Sequence, residues 1–111
     1  MVLRRGDICL VNFNPAKGAE IGKLRLAIVM SEEEDNEVLD TVIVIPLSTV
    51  IAPDSMPYRF HIAAREKLQK KSDACINEIR ALSKTRIKEK LARLRPKELQ
   101  IVQKCLCEIL T

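Results

Sequence analysis

Residues 5–31, RGDICLVNFNPAKGAEIGKLRLAIVMS, carry two short apolar runs on either side of a polar loop, and this arrangement decides the fold class. The first run, Asp7–Phe13, is bounded by Gly6 and by Asn14-Pro15, as expected of a mostly buried strand. The loop 14–23 holds Pro15, Gly18 and Gly22, each of which interrupts regular structure. It is longer than a tight hairpin turn, which points to a functional loop. The second run, Leu24–Met30, reads as another strand, with Arg25 seated at its mouth.

Working outward, Ser31 and Glu34 have the spacing of a capping box, and acids in the first turn suit a helix of one or two turns. Thr41–Ser48 (TVIVIPLS) is dense in β-branched residues and reads as a third strand. Pro46 lacks an N–H and should mark a bend, edge or bulge there. In Tyr58–Ala63, Tyr58, Phe60 and Ile62 alternate with Arg59, His61 and Ala63, the pattern of a half-buried strand. Asp73–Ile79 reads as a fifth.

From Ser83 onward the spacing becomes helical. Ile87, Leu91 and Leu94 form one stripe, Leu99, Val102, Leu106 and Ile109 a second, and Pro96 opens the later helix. Strands with a small helical insert and two C-terminal helices make an α+β pattern on a small, strongly curved antiparallel sheet or barrel. At 111 residues the chain suits one domain over 1–111, because two cores would each bury too little surface.

Composition narrows the function. The chain has 47% hydrophobic and 31% charged residues, which argues against disorder. Phe13, Tyr58 and Phe60 are its only Phe, Tyr or Trp residues, so a surface built on stacking bases between rings is not expected and RNA binding would be mostly electrostatic. No apolar stretch reaches the roughly 18–20 residues of a membrane helix, and MVLRRGD has no signal-peptide pattern, so a cytoplasmic location is expected. Cys9, Cys75, Cys105 and Cys107 contain no C-x-x-C pair and stand apart from His61, so a metal site is not expected and buried, reduced thiols are.

The net charge of +4 is unevenly spread. Lys84, Arg86, Lys88, Lys90, Arg93, Arg95 and Lys97 face Glu89 alone, and Arg65, Lys67, Lys70 and Lys71 form a second basic group. Such clusters attract a polyanion or simply solvate a helix face.

The 5–31 stretch together with TVIVIPLS and INEIRALSKTRI resembles the MazF/PemK family of toxins from bacterial toxin–antitoxin pairs. The resemblance rests on the opening RGDI, the Gly-x-Glu-x-Gly loop at Gly18–Gly22, Arg25, the hydroxyl of Ser48 and the Ile79-Arg80 step. It runs nearly end to end. It implies a small SH3-like antiparallel β-barrel with added helices, a homodimer, and a metal-independent, cofactor-free endoribonuclease (mRNA interferase). That enzyme would cut single-stranded mRNA at short motifs, leave a 2′,3′-cyclic phosphate and a 5′-hydroxyl, and be blocked by a cognate antitoxin.

The resemblance makes Arg25 and Ser48 the catalytic candidates. An arginine fork binds two phosphate oxygens and stays charged at any working pH, and a serine hydroxyl donates to the scissile phosphate. Lys17, Gly18, Glu20, Gly22 and Lys23 of the loop, with Asn77 and Glu78, are the substrate-binding candidates. Leu26 stands where the family usually has proline, and Asn77, which does not titrate, where many members carry an acid. Glu20 and Glu78 remain for proton transfer, whereas His61 matches no catalytic position of the family. Two rivals are a gyrase poison of similar fold, resembling CcdB, and a non-enzymatic SH3-like binding module.

Overall fold

The computed structural model describes residues 1–13 and 24–111. Along the chain run β1 (Asp7–Asn12), β2 (Leu24–Val29), α1 (Glu33–Val38), β3 (Thr41–Ser48), β4 (Arg59–Ile62), β5 (Ser72–Cys75), β6 (Arg80–Ser83), β7 (Ile87–Arg93) and α2 (Pro96–Leu110). The strands pair antiparallel in the order β4-β5-β3-β2-β1-β7, with β6 also on β3. The sheet curls without closing: among the described residues the end strands β4 and β7 do not pair with each other. A bond from Lys67 N–H to the Leu91 carbonyl, 3.1 Å, reaches from the β4–β5 connection to β7.

β3 is the hub. One edge pairs with β2, from Ala27 opposite Pro46 to Val29 opposite Val44. The other edge pairs first with β6, over Thr41–Val44, and then with β5 at Leu47 and Ser48. Pro46, with no N–H to give, falls at this changeover between partners.

The sheet is apolar on both faces because both are covered. On one side Ile8, Ile28, Ile45 and Ile62 are fully buried and pack with Val102 and Cys105 of α2. On the other, Cys9, Val11, Ala27, Val29, Val42 and Val44 form a second cluster with Leu3 and Phe13. Burying each Ile or Val side chain contributes about 1.5–3 kcal/mol, so these two clusters dominate the stability.

α2 begins at Pro96 after an Arg95 cap, whose N–H donates to Glu98 Oε1 at 2.7 Å. Glu98 also takes both guanidinium arms of Arg65, which fastens the helix to the β4–β5 connection. Ile101, off the main stripe, is 38% exposed.

The α+β architecture agrees with the sequence reading, but three local expectations change. The first of the two C-terminal helices is strand β7. Its apolar spacing mimics a helix because the β1–β7 ladder slips twice, from Ala92 opposite Ile8 to Lys90 opposite Cys9, and from Glu89 opposite Leu10 to Ile87 opposite Val11. Each bulge adds a residue and breaks the period of two. The fifth strand ends at Cys75, and Ile76–Glu78 turn as a 3-10 helix before β6.

The Ser31 capping box does not form; α1 starts from Glu32 with no side-chain cap. Ser31 Oγ instead donates to Asn36 Oδ1 at 2.5 Å and accepts from Ile43 N–H at 3.0 Å. The amide of the buried Asn36 also donates to the Leu3 carbonyl at 2.9 Å, tying the start of the chain to α1.

Candidate active site

Arg25 lies on β2 opposite Val11 of β1. Pairing of β2 with β3 begins only at Ala27, so Arg25 sits where these two strands have parted. Its Nη2 spans the gap and donates to the Leu47 carbonyl at 3.2 Å, one residue before Ser48. Arg25, Ser48, Thr49 and Ser72, with Leu10 and Leu47, line a cleft of about 460 Å³. Ser48 Oγ accepts from Val50 N–H at 3.1 Å, which leaves its own proton free to donate outward.

A second cation stands beside the first. The guanidinium carbons of Arg25 and Arg80 lie 5.6 and 5.5 Å from the centroid of the Phe13 ring. Among the described residues neither arginine is in a salt bridge, so one aromatic ring holds two uncompensated positive charges close together. Such an arrangement favours an anion arriving from solution. The sequence reading used Arg80 only as a motif marker and did not single out Phe13. The available signal was alternation, which puts Phe13 two residues beyond Val11 on the face that also carries Arg25.

Asn77 and Glu78 are exposed on the 3-10 turn. They line a separate cleft of about 520 Å³ with Ser55, Tyr58 and Arg59, and not the one between Arg25 and Ser48. Cys75 is buried at the end of β5. Its thiol is pushed up chiefly by burial, drawn down by the charges of Arg59 and Arg25, and raised by Glu78. Lys17, Gly18, Glu20, Gly22 and Lys23 lie outside the described residues.

Much of the basic clustering is absorbed by the fold. Arg93 Nη1 meets Asp7 Oδ1 at 2.6 Å and Lys90 Nζ meets Asp7 Oδ2 at 3.5 Å. Arg65 is taken by Glu98, and Lys84 Nζ donates to the Asn36 carbonyl at 2.7 Å. Arg65, Lys67, Lys90 and Arg93 of the two basic groups are thus engaged in ion pairs within the fold, whereas Arg25 and Arg80 are in none among the described residues. Among the described residues no helix is long and apolar enough to cross a membrane.

The candidate site is thus a curled antiparallel sheet whose parted strands β2 and β3 present an arginine beside a hydroxyl. The sequence matches the family described as PemK-like, MazF-like toxin of type II toxin-antitoxin system over residues 4–110, and the chain belongs to that family. It is 33% identical over 102 residues to the endoribonuclease MazF of Staphylococcus saprophyticus subsp. saprophyticus, covering 91% of this chain and 85% of that one. The fold is similar to MazF in a MazE–MazF crystal structure from Deinococcus radiodurans, with a TM-score of 0.81 at 24% identity over 99% of this chain and 96% of that one. It is also similar to a mycobacterial endoribonuclease in complex with its cognate antitoxin, with a TM-score of 0.72 at 15% identity over 98% and 93% of the two chains.

Proposed function

We propose that this chain is a metal-independent endoribonuclease that cuts single-stranded RNA, mRNA included, at short sequence motifs, acts as a homodimer, and is neutralised by a cognate antitoxin. The observation that carries this is the Arg25 guanidinium anchored on the Leu47 carbonyl beside Ser48, with Arg80 held by the same phenylalanine ring. Kinship with an endoribonuclease MazF supports the reaction, and likeness to toxins crystallised with antitoxins supports the partner.

The ribose 2′-oxygen attacks phosphorus as its proton leaves to a base, the bond to the 5′-oxygen breaks, and that oxygen takes up a proton. Products are a 2′,3′-cyclic phosphate and a 5′-hydroxyl. Arg25 neutralises the charge that grows on the phosphorane, and Ser48 donates to a non-bridging oxygen. Lys17, Gly18, Gly22 and Lys23 contribute to binding the strand, Asn77 and Glu78 contact it from their separate cleft, and Glu20 is the carboxylate proposed for proton transfer. A disordered acidic peptide competing for the same cations is the chemistry expected of the antitoxin.

The test is incubation of the purified chain with long single-stranded RNA in EDTA, followed by mapping of the ends. Cyclic-phosphate ends at recurring motifs are expected; RNA left whole, with arrest of DNA gyrase instead, would overturn the reading. Elution at twice 12.6 kDa is expected of the homodimer.

A further inference from the structure

Ser48, Asp73 and His61 form one row across three strands, since Ser48 pairs with Asp73 and Asp73 with His61. Directly opposed residues of antiparallel strands project from the same face, so the row extends the face that carries Ser48. Asp73 is only 2% exposed. Its Oδ2 accepts from Ala52 N–H at 2.8 Å and from Arg59 Nη1 at 3.5 Å, and its Oδ1 stands 3.5 Å from His61 Nδ1. Arg59 Nη1 also donates to the Val50 carbonyl at 3.1 Å. A single buried carboxylate thus fixes the segment after β3, an arginine and the chain's one histidine.

These groups border a cavity of about 550 Å³ whose wall also includes Ile51, Pro53 and Met56. Apolar walls with a few fixed polar groups, in a volume of about 300–1,000 Å³, characterise sites for small organic groups. Half of the His61 side chain is open to solvent at this wall.

Distance decides what His61 does. Adjacent strands lie about 4.8 Å apart, so His61 is about 10 Å from Ser48 along the row. Proton transfer needs contact at about 3 Å, and a ring two strands from Ser48 lies nearer a neighbouring nucleotide than a phosphate held at Ser48. A neighbouring nucleotide on an extended strand has that reach. The occupant is a base more than a phosphate, because Asp73 already neutralises Arg59 and leaves little net charge for an anion. Unstacked RNA bases settle on histidine rings and guanidinium planes in this way.

We propose that this cavity receives the base of a nucleotide flanking the scissile bond, with the His61 ring and the Arg59 guanidinium as its polar wall. The proposal rests on the endoribonuclease reading above. Few rings in the composition argue against a stacking surface, but three of the four aromatic rings in the chain, Tyr58, Phe60 and His61, fall within residues 58–61. One ring at a fixed place is enough for a subsite.

The experiment cuts a pool of randomised single-stranded RNA with the wild-type chain and with His61→Ala, and sequences the ends. The expected result is that His61→Ala still cuts, with base preference relaxed by about tenfold at one position flanking the cut and retained elsewhere. Identical preferences in both proteins would overturn the subsite while leaving the nuclease reading intact. Loss of cutting on all sequences alike in a folded His61→Ala would also overturn it, in favour of a role at the reacting phosphate. RNA left intact by the wild-type chain would remove the nuclease reading and the subsite with it.

Discussion

Arg25 of β2 donates from Nη2 to the Leu47 carbonyl of β3 at 3.2 Å, across the point where the two strands part. The bond spends one arm of the guanidinium on the backbone and leaves the rest of the fork for a ligand beside Ser48. Because Ser48 Oγ accepts from Val50 N–H, its proton has a fixed oxygen from which to donate. Ser48→Ala should lower RNA cleavage by about 10- to 100-fold with the fold unchanged, in line with removal of one donor to a developing oxyanion. Ser48→Thr, which keeps the hydroxyl, should retain most of the rate; initial rates on one single-stranded RNA check both.

Phe13 holds two guanidinium groups, and each exposed cation–π contact is worth about 0.5–1 kcal/mol. Phe13→Leu keeps an apolar group in that buried place but removes the ring face, so RNA affinity should fall several-fold while the melting temperature changes little. Arg80→Ala should weaken binding and reduce the slope of log affinity against log salt by about one. Binding titrations between low and moderate salt measure both; an unchanged slope would separate Arg80 from the RNA path.

Arg65 and Glu98 fasten α2, and the Arg65 hydrogen bonds hold the Glu98 carboxyl below its ordinary range. A depressed carboxyl stabilises the fold above its unfolded value of about 4.3, and that contribution disappears as pH falls through the lower folded value. Glu98→Gln should cost about 2 kcal/mol at pH 7 and much less at pH 3. Urea midpoints of both proteins at the two pH values read the difference.

Four thiols should behave unequally. Cys9, Cys75 and Cys105 are buried, and burial pushes the Cys9 thiol up to about 12 and raises those of Cys75 and Cys105. Cys107 is exposed. Since the thiolate is the reactive form, a disulfide reagent at pH 8 should titrate one thiol rapidly in the native protein and all four after denaturation. Cys107→Ser should abolish the fast phase.

The parts of the fold legible in the sequence were those whose periodicity survives intact. β1, β2 and β3 were read within a residue of their observed ends, and α2 carries an unbroken stripe opened by Pro96. β7 was read as helix because two bulges convert an alternating strand into helical spacing, and β6 is four residues long with no pattern of its own. At the site, Arg25 and Ser48 were legible through motif order. Their meeting depends on the parting of β2 from β3, a tertiary fact. The stacking of Arg25 and Arg80 on Phe13 and the Asp73 row were not legible, because cross-strand neighbours are distant in sequence.

Arg25, with its anchored guanidinium, is the residue on which the proposed cleavage depends most. The direct measurement compares wild-type chain and Arg25→Ala on one long single-stranded RNA in EDTA, with far-ultraviolet circular dichroism to establish that both are folded. Cyclic-phosphate ends are expected from the wild type, and a rate at least about a hundredfold lower from Arg25→Ala. Equal cleavage by a folded Arg25→Ala would contradict that dependence.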